Sequence, residues 1–207
     1  MKEILLMGIL SLLGFCRNSA PKNPSFDEQL KIFKELGFEL NAGTNISDIK
    51  RWDEQDFLDE PFTLMYATLG QTIEREPWTP LTDKCWDFDT EAIEDHGSYV
   101  DIIKNLERIT RGELVFTDVK DYVDIEEEKA WVSFTFNGQN YKWDLKIDND
   151  WVDPNVFLKI SELTQEHKTK GKYTVFETGG QDIVIGFESP ESLKEIKNKT
   201  GLKISWL

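Results

Sequence analysis

At 207 residues, with 39% hydrophobic and 12% aromatic positions, the chain can form one large folded unit or two small ones, and it is too apolar for disorder beyond its first ~25 positions. Acidic residues outnumber basic ones 39 to 24, a formal net charge of −15, and that field repels phosphate, which disfavours nucleic acid as a partner. The two cysteines, Cys16 and Cys85, supply neither a disulfide framework nor paired C-x-x-C zinc spacing, so packing must hold the fold.

In chain order, Lys2 precedes an unbroken apolar stretch from Ile4 to Phe15, which ends at Cys16 and the polar run RNSAPKNPS. As a helix that stretch would reach about 18 Å, well short of a ~30 Å hydrocarbon core, and its pattern is that of a secretory h-region. The block Leu13-Gly14-Phe15-Cys16 resembles the lipobox of bacterial lipoproteins, with Phe15 where a small residue is usual. The resemblance implies a signal peptide over 1–16, an acylated Cys16 and lipid anchorage in the cell envelope. Residues 17–25, with Pro21 and Pro24, then serve as a tether to a single folded body over 26–207. Another kind of secretory signal and a cytoplasmic chain with a buried amino terminus are the alternatives.

Within the body, Ser25 and Glu28 form a capping-box pattern before Leu30, Phe33 and Leu36, and Gly37 supplies a stop. A second cap is expected at Ser47, and Pro61 is expected in the first turn of a helix carrying Phe62, Met65, Tyr66 and Leu69 to Gly70. Ser98 and Asp101 repeat the cap pattern ahead of Val100, Ile103, Leu106 and Ile109. These features make 26–112 mainly helical.

The period changes over 113–207. Trp131 to Phe136, Asn137-Gly138 and the alternating run Tyr141 to Ile147 predict a β-hairpin with one buried face, Trp131 and Trp143 packing inward. A helix is expected from Pro154 to His167, strands at 172–176 and 182–187 around Gly179-Gly180, a helix opened by Ser189-Pro190-Glu191, and a last strand over 202–207. Helices first, then β-β-β-α-β-β-α-β, define an α+β protein with a largely antiparallel sheet.

Candidate chemistry is sparse. Asp144, Asp148, Asp150 and Asp153 surround Trp151, but no Gly stands sixth from Asp148 and no Glu closes a twelve-residue loop, so turn formation and helix capping explain them better than calcium. Asp87, Asp89, Glu91, Glu94, Asp95 and His96 adjoin Trp86 and Phe88. Paired carboxylates there could serve glycan hydrolysis, against the plainer reading of a solvated helix start. His96 and His167 are in no H-x-x-x-H setting, and there is no G-x-S-x-G elbow or phosphate loop. No catalytic set, metal site or cofactor is therefore expected, and Cys85 beside Trp86 is expected to be a buried, inert thiol. Trp78, in the proline-fixed segment Glu76-Pro77-Trp78-Thr79-Pro80, is the best candidate for an exposed anchor.

An acidic, aromatic-rich α+β body without a catalytic motif is similar in style to bacterial families that include toxin-immunity proteins. That resemblance implies a non-enzymatic protein that binds a basic protein partner, and the lipid anchor would place it at the envelope. The resemblance carries over no residue; the contact candidates Trp78, Asp87, Asp89 and Glu91 come from this sequence's own exposed-loop and acidic segments. A structural envelope lipoprotein and a glycan-acting hydrolase are the competing expectations.

Overall fold

The computed structural model describes residue 21 and residues 23–207; the leader and Cys16 lie outside the described residues. Helix α1 (Phe26–Glu35) starts as its sequence predicts, with Ser25 Oγ accepting from the Glu28 amide while the Glu28 carboxylate accepts from the Ser25 amide, and the chain leaves through Gly37 at φ 85°. Helix α2 (Ile46–Ile49) is capped by Asn45 rather than Ser47: Asn45 Oδ1 accepts from the Ser47 amide, and Asp48 accepts from the Asn45 amide in return. Helix α3 (Glu54–Asp59) follows.

Pro61 stands outside α4 (Thr63–Gly70), not in its first turn. The cause is the fully buried Gln29 of α1, whose Oε1 accepts from the Phe62 amide at 2.7 Å while its Nε2 donates to the Pro24 and Phe57 carbonyls. These bonds hold Phe62 at φ 67°, with its ring in the core.

A small hairpin of β1 (Thr72–Ile73) and β2 (Thr79–Pro80) comes next, then β3 (Cys85–Asp89), a strand inside the half expected to be helical. Helix α5 (Ser98–Ile109) precedes the three-stranded antiparallel sheet of β4 (Phe116–Asp124), β5 (Lys129–Phe136) and β6 (Gln139–Leu145). Ser98 does not cap α5. Asp121 of β4 reaches across to accept from the Gly97, Tyr99 and Val100 amides at 2.8–3.1 Å.

The β5–β6 turn is Asn137-Gly138, both left-handed at φ 49° and 76°, which suits the strand twist. Trp143 lies against the core, but Trp131 does not. Trp131 pairs with Asp144 across the hairpin and so shares the outer face with Lys142, whose Nζ stands 4.3 Å over its ring, while Val132 and Phe134 turn inward.

The remaining elements are α6 (Asn155–Glu166), β7 (Lys172–Glu177), β8 (Asp182–Glu188), α7 (Pro190–Thr200) and β9 (Ser205–Trp206), the last shorter than the expected 202–207. The second half runs β-β-β-α-β-β-α-β, and all strand pairings are antiparallel, so the protein is α+β.

The four-stranded sheet, ordered β3-β8-β7-β9, is covered on both faces. Trp86, Phe88, Tyr173, Ile185 and Phe187 face one core, shared with α5, α6 and the three-stranded sheet. Cys85, Phe176 and Val184 face the other, shared with α1, α4 and α7. That is why β8 reads as a nearly continuous apolar run, Ile-Val-Ile-Gly-Phe, instead of alternating. Each fully buried Ile or Phe contributes roughly 1.5–3 kcal/mol.

Candidate functional site

Among the described residues, a concavity that combines aromatic and polar side chains lies beside β3. It is a cleft of about 510 Å³ lined by Arg51, Trp52, Gln71, Thr72, Glu74, Trp78 and Asp87, a size ordinary for ligand sites. Three segments build it. The α2–α3 connection brings Arg51 and Trp52, the β1–β2 hairpin brings Glu74 and Trp78, and β3 provides Asp87.

Two anchors hold these segments together. The Arg75 guanidinium, inside the β1–β2 loop, grips the Asp48 carboxylate of α2 at 2.5 and 3.0 Å and the Gly43 carbonyl at 3.2 Å. This pins the Trp78 hairpin to the segment bearing Trp52, and the guanidinium keeps the Asp48 carboxyl below its ordinary range. At the rear, Gly70 ends α4 against β3: a Cβ there would fall 2.5 Å from the Asp87 amide nitrogen. Only glycine lets helix and strand approach that closely.

Trp52 and Trp78 remain 49% and 62% exposed, which separates them from the tryptophans that pack against the cores. Between them the polar groups form a chain: Arg51 Nη2 donates to Gln71 Oε1 at 2.5 Å, and Gln71 Nε2 donates to Asp87 Oδ2 at 3.0 Å. The other oxygen of Asp87, Oδ1, is closed off and has no partner among the described residues. Burial pushes the Asp87 carboxyl up to about 6, opposed by the Gln71 hydrogen bond and reinforced by the charges of Asp182 and Asp89.

Of the residues nominated from sequence, Trp78 and Asp87 meet in this cleft and Asp89 and Glu91 do not. Asp89 follows Asp87 by two on β3, but its Oδ1 accepts from the Glu91 amide and from Gln181 Nε2, which closes a turn at the end of the strand. The carboxylate cluster is also divided by the strand. Trp86 and Phe88 face the opposite core, where Glu94, Asp95 and His96 line a separate hollow. Of the 144–153 aspartates, Asp148 and Asp153 behave as expected of turn and cap residues, with Asp153 accepting from the Lys146 and Asn155 amides and the Trp151 amide closing onto the Asp148 carbonyl, whereas Asp144 lies within β6 opposite Trp131. Among the described residues no group of three or more His, Cys, Asp or Glu is placed to hold a metal ion. Cys85 is buried, its thiol pushed up to about 12 by desolvation.

Trp52, Arg51 and Gln71 were not foreseen as site residues. A signal existed for Trp52, which stands in Arg51-Trp52-Asp53-Glu54 with charged residues on both sides and no apolar periodicity to bury it. The chain matches no protein-family model, no curated protein and no solved structure.

Proposed function

We propose that this chain is a non-enzymatic binding protein of the bacterial cell envelope, an immunity-type inhibitor of a basic protein, and that the partner is anchored in the Trp52–Trp78 cleft. One observation carries the reading: two exposed tryptophans line a cleft together with the polar side chains of Arg51, Gln71, Glu74 and Asp87. Tryptophans of this kind make efficient interface anchors, because a large rigid face is buried at little entropic cost. The −15 charge favours a basic partner by steering encounter. The envelope location rests on the apolar run ending at Cys16.

The test is affinity capture from native envelopes at low salt with wild-type protein and with Trp52→Ala/Trp78→Ala. A basic protein retained by the wild type and lost from the double variant and at high salt supports the reading. Equal retention by both removes the cleft from it. Palmitate labelling with a Cys16→Ser control tests the anchor. A second reading, glycan hydrolysis, draws support from the raised Asp87 carboxyl sharing the cleft with Glu74. It requires reducing ends to be released by the wild type and not by Asp87→Asn.

A further inference from the structure

We infer that the Trp52–Trp78 cleft is a socket for a single organic cation, the guanidinium or ammonium end of a basic side chain on the partner. The inference rests on the binding reading above and gives that site its chemistry.

The walls come first. The face of a tryptophan ring attracts a cation through its quadrupole, more strongly once water is displaced. At two other rings of this fold an internal cation takes that place, with Lys142 Nζ 4.3 Å from the Trp131 centroid and Lys50 Nζ 4.7 Å from that of Phe26. Among the described residues no cation and no second aromatic ring stacks on Trp52 or Trp78. Their faces are left for a group from outside.

Charge selects the kind of group. Glu74 and Asp87 line the cleft, and Asp53, Glu54 and Glu76 lie within two residues of its tryptophans in sequence. Of the two nearby arginines, Arg75 is consumed by Asp48. Arg51 is held against the wall by Gln71 Oε1, an amide that leaves the carboxylates unneutralised. A cation entering the cleft therefore meets two carboxylates and one fixed guanidinium, a net negative lining that attracts it. The volume accommodates a guanidinium together with its methylene stem. An anionic group would be repelled by Glu74 and Asp87, and a neutral polyol would gain nothing from their charge.

The experiment follows the indole N–H resonances of Trp52 and Trp78 in the intact protein, assigned with Trp52→Phe and Trp78→Phe. The titrants are N-acetyl-arginine amide, N-acetyl-lysine amide, the uncharged citrulline analogue and a neutral oligosaccharide of N-acetylglucosamine. Both indoles are expected to shift with the arginine and lysine probes, saturating at a Kd of about 1–10 mM as suits one side chain. The citrulline analogue should bind at least roughly tenfold more weakly, and Asp87→Asn should weaken the arginine probe about three- to tenfold. Equal binding of citrulline, or a stronger response to the saccharide, overturns the cation socket, as does the absence of any shift with both cations. If the cations fail while Trp52→Ala/Trp78→Ala still loses the envelope partner, the socket falls and the binding reading stands. If the double variant keeps the partner, the cleft's part in the binding reading is what fails.

Discussion

Asp87→Asn is expected to remove a pH dependence that the wild-type fold carries. The carboxyl sits at about 6 in the folded chain against an ordinary 3.8, a gap of roughly two decades in proton affinity, each worth about 1.4 kcal/mol. The ceiling is thus ~3 kcal/mol, and because the side chain keeps some contact with solvent through the cleft, screening lowers the expected effect to about 1–2 kcal/mol. The sign follows from proton counting. Between those two values the folded state binds more protons than the unfolded one, so the wild type is favoured below pH 4 and loses this contribution as pH rises through 6.

The groups facing Asp87 are Gln71, Asp89 and Asp182, with Arg51 and Glu74 farther along the cleft. All remain in the variant, so they cancel when the two proteins are compared. The Asn amide nitrogen that would replace the unpartnered Oδ1 adds an offset independent of pH. Thermal unfolding of both proteins by circular dichroism at pH 4.0, 5.0, 6.0 and 7.5 isolates the slope. The Tm of Asp87→Asn relative to wild type should rise by about 3–6 °C across that range, at 2–4 °C per kcal/mol. A difference that stays flat with pH would refute the argument, because it would mean that Asp87 is solvated as an ordinary surface carboxylate.

Other substitutions probe the scaffold behind the cleft. Lys84 Nζ lies 2.8 and 2.7 Å from the two oxygens of the buried Glu188. Lys84→Met should therefore cost about 3–5 kcal/mol in urea denaturation, and Lys84→Met/Glu188→Leu should recover most of it, since the penalty comes from an uncompensated buried charge. Gly70→Ala places a methyl group 2.5 Å from the Asp87 amide and 3.0 Å from the Trp86 carbonyl carbon, backbone atoms that cannot swing aside. Overpacking of about 1–3 kcal/mol should outweigh the ~1 kcal/mol gained in helix propensity, with a lowered Tm and displaced Trp52 and Trp78 indole resonances as the readout. Asp121→Ala takes the carboxylate from three amides at the start of α5, so a loss of about 1–2 kcal/mol and faster hydrogen exchange at Tyr99 and Val100 are expected.

Local chemistry settled much of this molecule in the sequence itself. The capping box of Ser25 and Glu28, the Asn137-Gly138 turn, the Pro190 helix start and the alternation of Tyr141 to Leu145 each act within a few residues. Their outcome was legible because no distant partner outbids them. Tertiary contacts decided the rest. Asp121 displaced Ser98 as the cap of α5, and Gln29 drew Phe62 out of the helix that Pro61 would have begun. Five residues of β3 became a strand only because β8 offers a full ladder of partners. The cleft belongs to the same class: Trp52 stands tens of positions before Trp78 and Asp87 on a separate segment, and Arg75 on Asp48 together with the bare Cα of Gly70 bring the three to one place. Periodicity encodes which face of an element is apolar, but not which other face it will meet.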